Sequence, residues 1–188
     1  MTSNKKLVHI MGNGQSLCGD KRFMEALTNH EIDFNAEKPL FNIEDIIFPL
    51  STQSIKIVDA RKRRVKLAGG NWSGAHMCRH CVDGLECRPL RDIAMDIRYK
   101  FKMNCIRLTY SLQMFFEDKP IPSKYLTANP ELMGKTGMEI FDITIQVLTE
   151  VGLMVILNNH TSTSQWCCSD EDGDGLWWSR QFPENMFF

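Results

Sequence analysis

The sequence predicts an α/β fold in which short strands alternate with amphipathic helices around a parallel sheet. The apolar run at 153–157, LMVIL, is too short for a helix and is typical of a strand buried on both faces of a parallel sheet. A second short strand is predicted at 104–108, NCIRL, and helical apolar spacing precedes each of the two strands. Because a helix between two strands implies a right-handed crossover, this order favours parallel pairing.

The first predicted element is a β-hairpin. Ile55, Ile57 and Val58 precede a basic cluster at 61–64, and Val65 and Leu67 follow it. This pattern predicts two strands around a charged turn, continuing into Gly-Gly-Asn-Trp at 69–72. We interpret the basic cluster as that turn, because the net charge of −1 gives no sign of a nucleic-acid partner.

Two helices are predicted after the hairpin. In the first, at 89–101, Pro89 suits the first turn, and the apolar residues recur at helical spacing: Leu90, Ile93, Ala94, Ile97 and Phe101. The second, at 138–151, carries Phe141, Ile145 and Leu148 on one face and ends before Gly152.

Units of this kind build either an open doubly wound sheet or a (β/α)8 barrel. The segment GGNWSG at 69–74 lacks the G-x-G-x-x-G spacing of a dinucleotide-binding turn, which disfavours nucleotide binding. Polar residues Asn-Asn-His at 158–160 directly follow the strand at 153–157. In α/β folds, active sites lie at this carboxyl end of the strands.

Composition limits the class of protein. With 188 residues, 43% of them hydrophobic, the chain is one globular domain or part of a larger one. We expect neither a nucleic-acid nor a membrane partner. The first residues lack the apolar core of a signal peptide, so the chain as written is not expected to be exported.

The cysteines leave a zinc alternative open. Cys78 and Cys81 form a C-x-x-C flanked by His76 and His80, and together they raise the hypothesis of an unrelated α/β domain with structural zinc. A second ligand pair at finger-like spacing is absent from the sequence. We therefore favour loop cysteines that are free or disulfide-bonded among the seven.

An acidic segment raises a calcium alternative. Asp170, Asp172, Asp174 and Gly175 fit the start of an EF-hand loop, but position twelve is Gln181, which cannot supply a bidentate carboxylate. An acidic turn bordering a cleft is the favoured interpretation, and no metal or cofactor is expected.

Six blocks in order carry a family resemblance: GGNWSGAH, PLRDIAMDIR, NCIRLTYS, TANPELMGKTGMEIFD, GLMVILNNH and WCCSDEDGDGLWW. Together they resemble the N-terminal part of glycoside hydrolase family 5, the cellulase-type (β/α)8 glycosidases. The resemblance implies a partial TIM barrel at 48–188, with a hairpin and about three β/α units and no closure. Residues 1–47 are assigned to an N-terminal extension of unknown role.

The resemblance also implies functional residues. Arg107 holds the place of an Arg that orients the nucleophile's carboxylate, a task that suits the planar guanidinium. His160 matches a sugar-contacting His. The remaining predicted substrate-binding residues are Asn71, Trp72, Asn159, Trp166, Trp177 and Trp178, the tryptophans as platforms for sugar rings.

Retaining glycosidases of this family use two glutamates, at the ends of the fourth and seventh strands. Glu171 and Glu184 follow no apolar strand, so the catalytic pair is expected downstream of Phe188 and the chain is expected to be an inactive fragment. The predicted function is hydrolysis of a β-linked polysaccharide, cellulase-like and retaining. The alternative is a non-catalytic carbohydrate-binding or regulatory truncation product. The family suggests secretion, so localisation stays open.

Overall fold

The computed structural model describes residues 45–167, 171, 173–174, 178 and 180–186. It begins with a hairpin of β1 (Ser51–Gln53) and β2 (Lys56–Val58), paired antiparallel. The predicted charged turn is also present, since Val58 bridges Arg64 and the N–H of Val65 donates to the carbonyl of Ile57 over 2.8 Å, but the strand predicted at Val65 and Leu67 is wrong, because the pairing does not continue beyond this bridge. The sequence prediction missed β1, because its polar, exposed residues carry no apolar signal.

Three parallel strands form the second sheet, which confirms the predicted pairing. They are β3 (Gly69–Trp72), β4 (Cys105–Ser111) and β5 (Met154–Thr161), in the order β3-β4-β5. A Cβ on Gly69 would lie 2.2 Å from the carbonyl oxygen of Cys105, so glycine permits the close approach of β3 to β4. Both β4 and β5 extend beyond the predicted apolar runs into polar residues, because backbone pairing continues there.

Helix α1 (Leu90–Met95) begins after Pro89, which is its N-cap. A π-helical turn at Asp96–Lys100 follows, in which the N–H of Phe101 donates to the carbonyl of Asp96 over 2.9 Å. The single regular helix predicted at 89–101 is therefore wrong in its last turn. The wider turn rotates Phe101 away from the buried side, and its side chain is 40% exposed.

Two more helices cover the sheet. The short α2 (Leu112–Glu117) starts directly after β4, where the Ser111 hydroxyl accepts from the N–H of Met114. The longer α3 (Gly137–Glu150) confirms the second predicted helix and begins with a capping box between Thr136 and Glu139. It ends before Gly152, whose φ of +82° favours glycine.

The register of the parallel sheet gives it two different faces. Asn71 pairs with Arg107 and Trp72 with Leu108, and successive side chains point to opposite sides of a strand. The helix face, defined by Trp72, Ile106 and Leu108, packs on α1 and α3. Its buried cluster also includes Leu90, Ala94, Ile140, Phe141 and Leu148. The polar face carries the alternate residues Asn71, Arg107, Thr109 and Asn158.

Within the described part of the chain, the parallel sheet is open at both edges, as expected for a barrel that is not closed. Strands β3 and β5 each have one neighbour there, and Ile156 and Leu157 of β5 are exposed. Within the same residues, no helix combines the length and the apolar character needed to cross a membrane.

Candidate functional site

Arg107 lies at the centre of the polar face, on the middle strand β4. Its Nη1 donates to Oδ1 of Asn71 on β3 at 3.3 Å, and its Nη2 lies 3.5 Å from Nδ1 of His160 on β5. Three strands therefore bring these side chains together, Asn71 and His160 from near the carboxyl ends of β3 and β5 and Arg107 from the third residue of β4. Among the described residues, no carboxylate forms an ion pair with Arg107.

His160 lies on the polar face of β5, two residues after Asn158, as regular alternation requires. Tyr110 pairs with Asn159 and Ser111 with Thr161, so β5 has one more residue than β4 at this point and His160 has no partner in the pairing.

The hydrogen bonds of His160 assign its tautomer. Nδ1 lies 3.1 Å from Oδ1 of Asn158, which must accept, and 3.5 Å from Arg107, which must donate. A ring nitrogen either donates or accepts, so Nδ1 cannot form both hydrogen bonds. The shorter contact prevails, and the Asn158 amide keeps its orientation by donating Nδ2–H to the carbonyl of Asn159. Nδ1 thus carries the proton, and Nε2 is an acceptor. Burial, with Arg107 second, lowers the pKa of His160 and keeps the ring neutral.

Two of the predicted substrate-binding residues occupy other positions. Trp72 is 6% exposed on the helix face, and its Nε1–H donates to the carbonyl of Asp83 at 2.9 Å. It is a core residue and offers no surface to a sugar. Asn159 pairs with Tyr110 on the helix side, and its Oδ1 is buried without a partner among the described residues. Asn158, one residue earlier, contacts His160 instead.

Of the other three predicted tryptophans, the structure describes Trp166 and Trp178. Trp166 is 49% exposed, and its ring centroid lies 6.2 Å from that of His76 beside the polar face. Trp178 is also exposed. Trp177 lies outside the described residues.

His76 belongs to the site, and the sequence analysis missed this role by considering it only beside the C-x-x-C. Its ring is 2% exposed and meets the ring of His160 edge-on, with centroids 4.7 Å apart. Nδ1 lies 2.9 Å from the hydroxyl of Thr109. The sequence signal that could have identified His76 is its position shortly after β3, since polar residues that follow a parallel strand lie at the carboxyl edge of the sheet.

The loops around this edge are joined by hydrogen bonds between side chains. Nε2 of His80 lies 2.6 Å from Oγ of Ser164, which lies 2.8 Å from Oγ of Ser111. The side-chain oxygen of Gln113 accepts from the N–H of Ser164. The segment leading to Trp166 is thereby fixed to the end of β4.

Acidic residues near this edge pair with groups other than Arg107. Arg79 forms ion pairs with Asp83 at 3.0 Å and Glu86 at 3.1 Å. The carboxylate of Asp174 accepts from the N–H and hydroxyl of Thr163. Of the residues that fit the start of an EF-hand loop, Asp170, Asp172 and Gly175 lie outside the described residues. Glu171 and Glu184 are exposed and follow no strand.

The C-x-x-C forms no metal site in the part of the chain that the structure describes, where no group of three or more potential ligands is assembled. Cys81 is buried, and burial raises the pKa of its thiol to about 12, whereas a zinc ligand must be a thiolate. Cys78, Cys81 and Cys105 are free, while Cys87 and Cys167 are disulfide-bonded.

Comparison with known proteins identifies the class as glycosidases. No family model matches the chain. A glycosyl hydrolase 5 family protein from Chamaecyparis obtusa is 34% identical over 156 residues, covering 74% of this chain and 28% of the relative. An endoglucanase from Paenibacillus polymyxa is 31% identical over 136 residues, covering 72% of this chain and 32% of the relative. The chain belongs to glycoside hydrolase family 5, which excludes the alternative of an unrelated zinc domain.

The chain spans about a third or less of the length of these relatives. Solved structures share its fold. The catalytic domain of the major endoglucanase from Xanthomonas campestris matches with a TM-score of 0.63 and 24% identity, over 74% of this chain and 38% of that domain. An endocellulase from Pyrococcus horikoshii in complex with cellotetraose matches with a TM-score of 0.58 and 23% identity, over 70% and 34%. The three strands thus correspond to part of a (β/α)8 barrel.

Proposed function

We propose that residues 48–188 form one side of the substrate cleft of a retaining, cellulase-like glycosidase that acts on a β-linked glucan. The observation that carries the proposal is that the side chains of Asn71, Arg107 and His160, from three neighbouring parallel strands, meet on one face, with His160 at the carboxyl edge. In barrels of this type, the active site lies at that edge. The endoglucanase names of the relatives support a glucan as the substrate class.

Each group at this edge has a chemical task under the proposal. Arg107 presents a planar fork of donors that binds a carboxylate and keeps it ionised. The Nε2 lone pair of His160 accepts a hydrogen bond from a sugar hydroxyl. Trp166, half-exposed beside these groups, offers an aromatic face to a sugar ring.

Bond cleavage requires two further groups. A retaining mechanism needs two carboxylates about 5 Å apart, one as nucleophile and one as acid/base. Under the proposal, these glutamates come from the fourth and seventh barrel strands, as the family resemblance implies. The described residues then bind and orient the sugar, and Arg107 binds the carboxylate of the nucleophile.

Titration of the 188-residue chain with cellotetraose, followed by NMR, tests the binding part. We expect saturable shifts that are lost in Trp166→Ala. Phe101→Ala is the matched control, because Phe101 is a similarly exposed aromatic residue that precedes β4 at the opposite edge of the sheet. A folded chain without cellotetraose-dependent shifts contradicts the proposal.

A non-catalytic carbohydrate-binding product is the second candidate function. It is favoured by the position of Glu171 and Glu184, neither of which follows a strand of the sheet. A reducing-sugar assay with soluble β-glucan, applied to this chain and to a version extended by the fourth and seventh barrel strands, separates the candidates. Only our proposal predicts turnover by the extended version. Turnover by this chain that survives both Glu171→Gln and Glu184→Gln contradicts the assignment of the catalytic pair.

A further inference from the structure

His76 is a buried polar ring to which the proposed function assigns no task. Its imidazole is 2% exposed on the polar-face side of β4, and it contacts Thr109, His160 and Trp166. The carbonyl of His76 also accepts from the hydroxyl of Thr161 at 3.4 Å. The residue therefore touches the two strands that carry Arg107 and His160.

Thr109 determines the tautomer of His76. The Thr109 hydroxyl lies 3.1 Å from the carbonyl oxygen of Trp72, which can only accept. Because a hydroxyl has one proton, both hydrogen bonds form only if Thr109 donates to Trp72 and accepts from Nδ1–H of His76. The ring orientation of His76 is thus fixed by a ladder from Trp72 through Thr109.

Through the ring of His76, these hydrogen bonds reach His160. Asn158 and Arg107 approach Nδ1 of His160, while the ring of His76 stands edge-on to it at 85°. In the described part of the chain, Arg107 and His76 are the titratable groups in contact with His160. The buried His76 ring thus packs directly against the ring of His160.

We propose that His76 is a positioning residue, which holds the ring of His160 in place and uncharged so that its Nε2 accepts from a sugar hydroxyl. This inference rests on the proposed role of His160 as a sugar contact. Thr109 acts one step further away, because it orients His76.

Two substitutions at position 76 distinguish the volume of the His76 ring from the hydrogen bonds and charge of its imidazole. His76→Phe keeps the ring and its edge contact, whereas His76→Ala opens a cavity that admits water beside His160. The pKa of His160 is read by NMR from its ring carbon-bound proton, assigned with His160→Asn. We expect this pKa to stay low in His76→Phe and to rise towards 6.5, the ordinary value, in His76→Ala.

A second pair of variants tests the ladder without removing the ring. Thr109→Val deletes the hydroxyl at nearly constant shape, and Thr109→Ser retains it. We expect the ring-proton shift of His160 to move in Thr109→Val and to return in Thr109→Ser. Should His76→Ala fail to fold, this pair still decides the matter.

Cellotetraose titrations of the same variants distinguish the two proposals. We expect His76→Ala to bind about tenfold more weakly than the unsubstituted chain. An unchanged His160 titration in folded His76→Ala, together with equal shifts in Thr109→Val and Thr109→Ser, overturns the positioning role. If no variant binds cellotetraose but the His160 titration responds as expected, the positioning role stands and the proposed function fails.

Discussion

Asn71 and Arg107 stand side by side in the β3–β4 pairing, and Oδ1 of Asn71 accepts from Nη1 of Arg107 at 3.3 Å. This contact fixes which residues face the candidate cleft. Trp72, one residue later, must point to the helices, because successive side chains of a strand alternate. On the other side of β4, Nη2 of Arg107 lies 3.5 Å from Nδ1 of His160 on β5.

Trp72, in the core, and Trp166, beside the candidate cleft, should respond differently to substitution by alanine. Trp72→Ala removes a buried ring and its hydrogen bond to Asp83, so we expect a loss of about 3–5 kcal/mol in the free energy of unfolding. Trp166→Ala removes an exposed ring and should change it by less than about 0.5 kcal/mol. Urea unfolding of both variants is the measurement. Equal losses would show that the assignment of the two residues to core and surface is wrong.

Arg107 should control the charge state of His160. The positive charge of Arg107 is the second cause, after burial, of the lowered His160 pKa. We expect Arg107→Met to raise this pKa towards 6.5, and Arg107→Lys, which keeps the charge, to raise it less. NMR titration of the His160 ring provides the values. A larger rise in Arg107→Lys than in Arg107→Met would contradict the electrostatic explanation.

His76 should make the protein sensitive to acid. Burial, then His160 and Arg107, lower its pKa from 6.5 to about 4 in the folded state. Between these values the unfolded chain binds more protons than the folded one, so the stabilising contribution is present above pH 6.5 and is lost as the pH falls towards 4. The full difference is about 3 kcal/mol.

Urea unfolding at several pH values between 7 and 4 measures this loss. His76→Phe cannot titrate at position 76 and should show a shallower decline, although His80 and His160, whose pKa values are also lowered, contribute in the same direction. A decline as steep as that of the unsubstituted chain would exclude His76 as its main source.

Asn129 should be important for the stability of the segment before α1. Its side chain is fully buried, accepts from the N–H of Leu90 and donates to the carbonyls of Leu85 and Arg88. Asn129→Ala leaves these buried groups unpaired, so we expect a loss of about 3 kcal/mol in the free energy of unfolding.

The control for this substitution is Thr127→Ala. Thr127 also donates to a carbonyl of the same segment, that of Glu86, but it is exposed, and water can replace its hydroxyl. Thermal unfolding of both variants should show a clear difference. Similar melting temperatures would show that the Asn129 hydrogen bonds add little.

The order of strands and helices was determined by the sequence alone. The apolar runs at 104–108 and 153–157 predicted parallel strands, and the helical spacing of apolar residues together with Gly152 placed α3 within one residue. The polar groups at the strand ends indicated the functional edge. These signals are local, since they depend on side-chain spacing and backbone preference over a few residues. The polar strand β1 and the short α2 have no such signal and were missed.

The face on which each residue lies was decided by the tertiary structure. Neighbouring residues such as Asn71 and Trp72, or Asn158 and Asn159, look equally suited to a sugar site in the sequence. Their assignment depends on the register between strands more than 30 residues apart. His76 became part of the site only because the loop after β3 packs against Thr109 and His160. Pairing and packing between distant segments set these positions, and no local pattern encodes them.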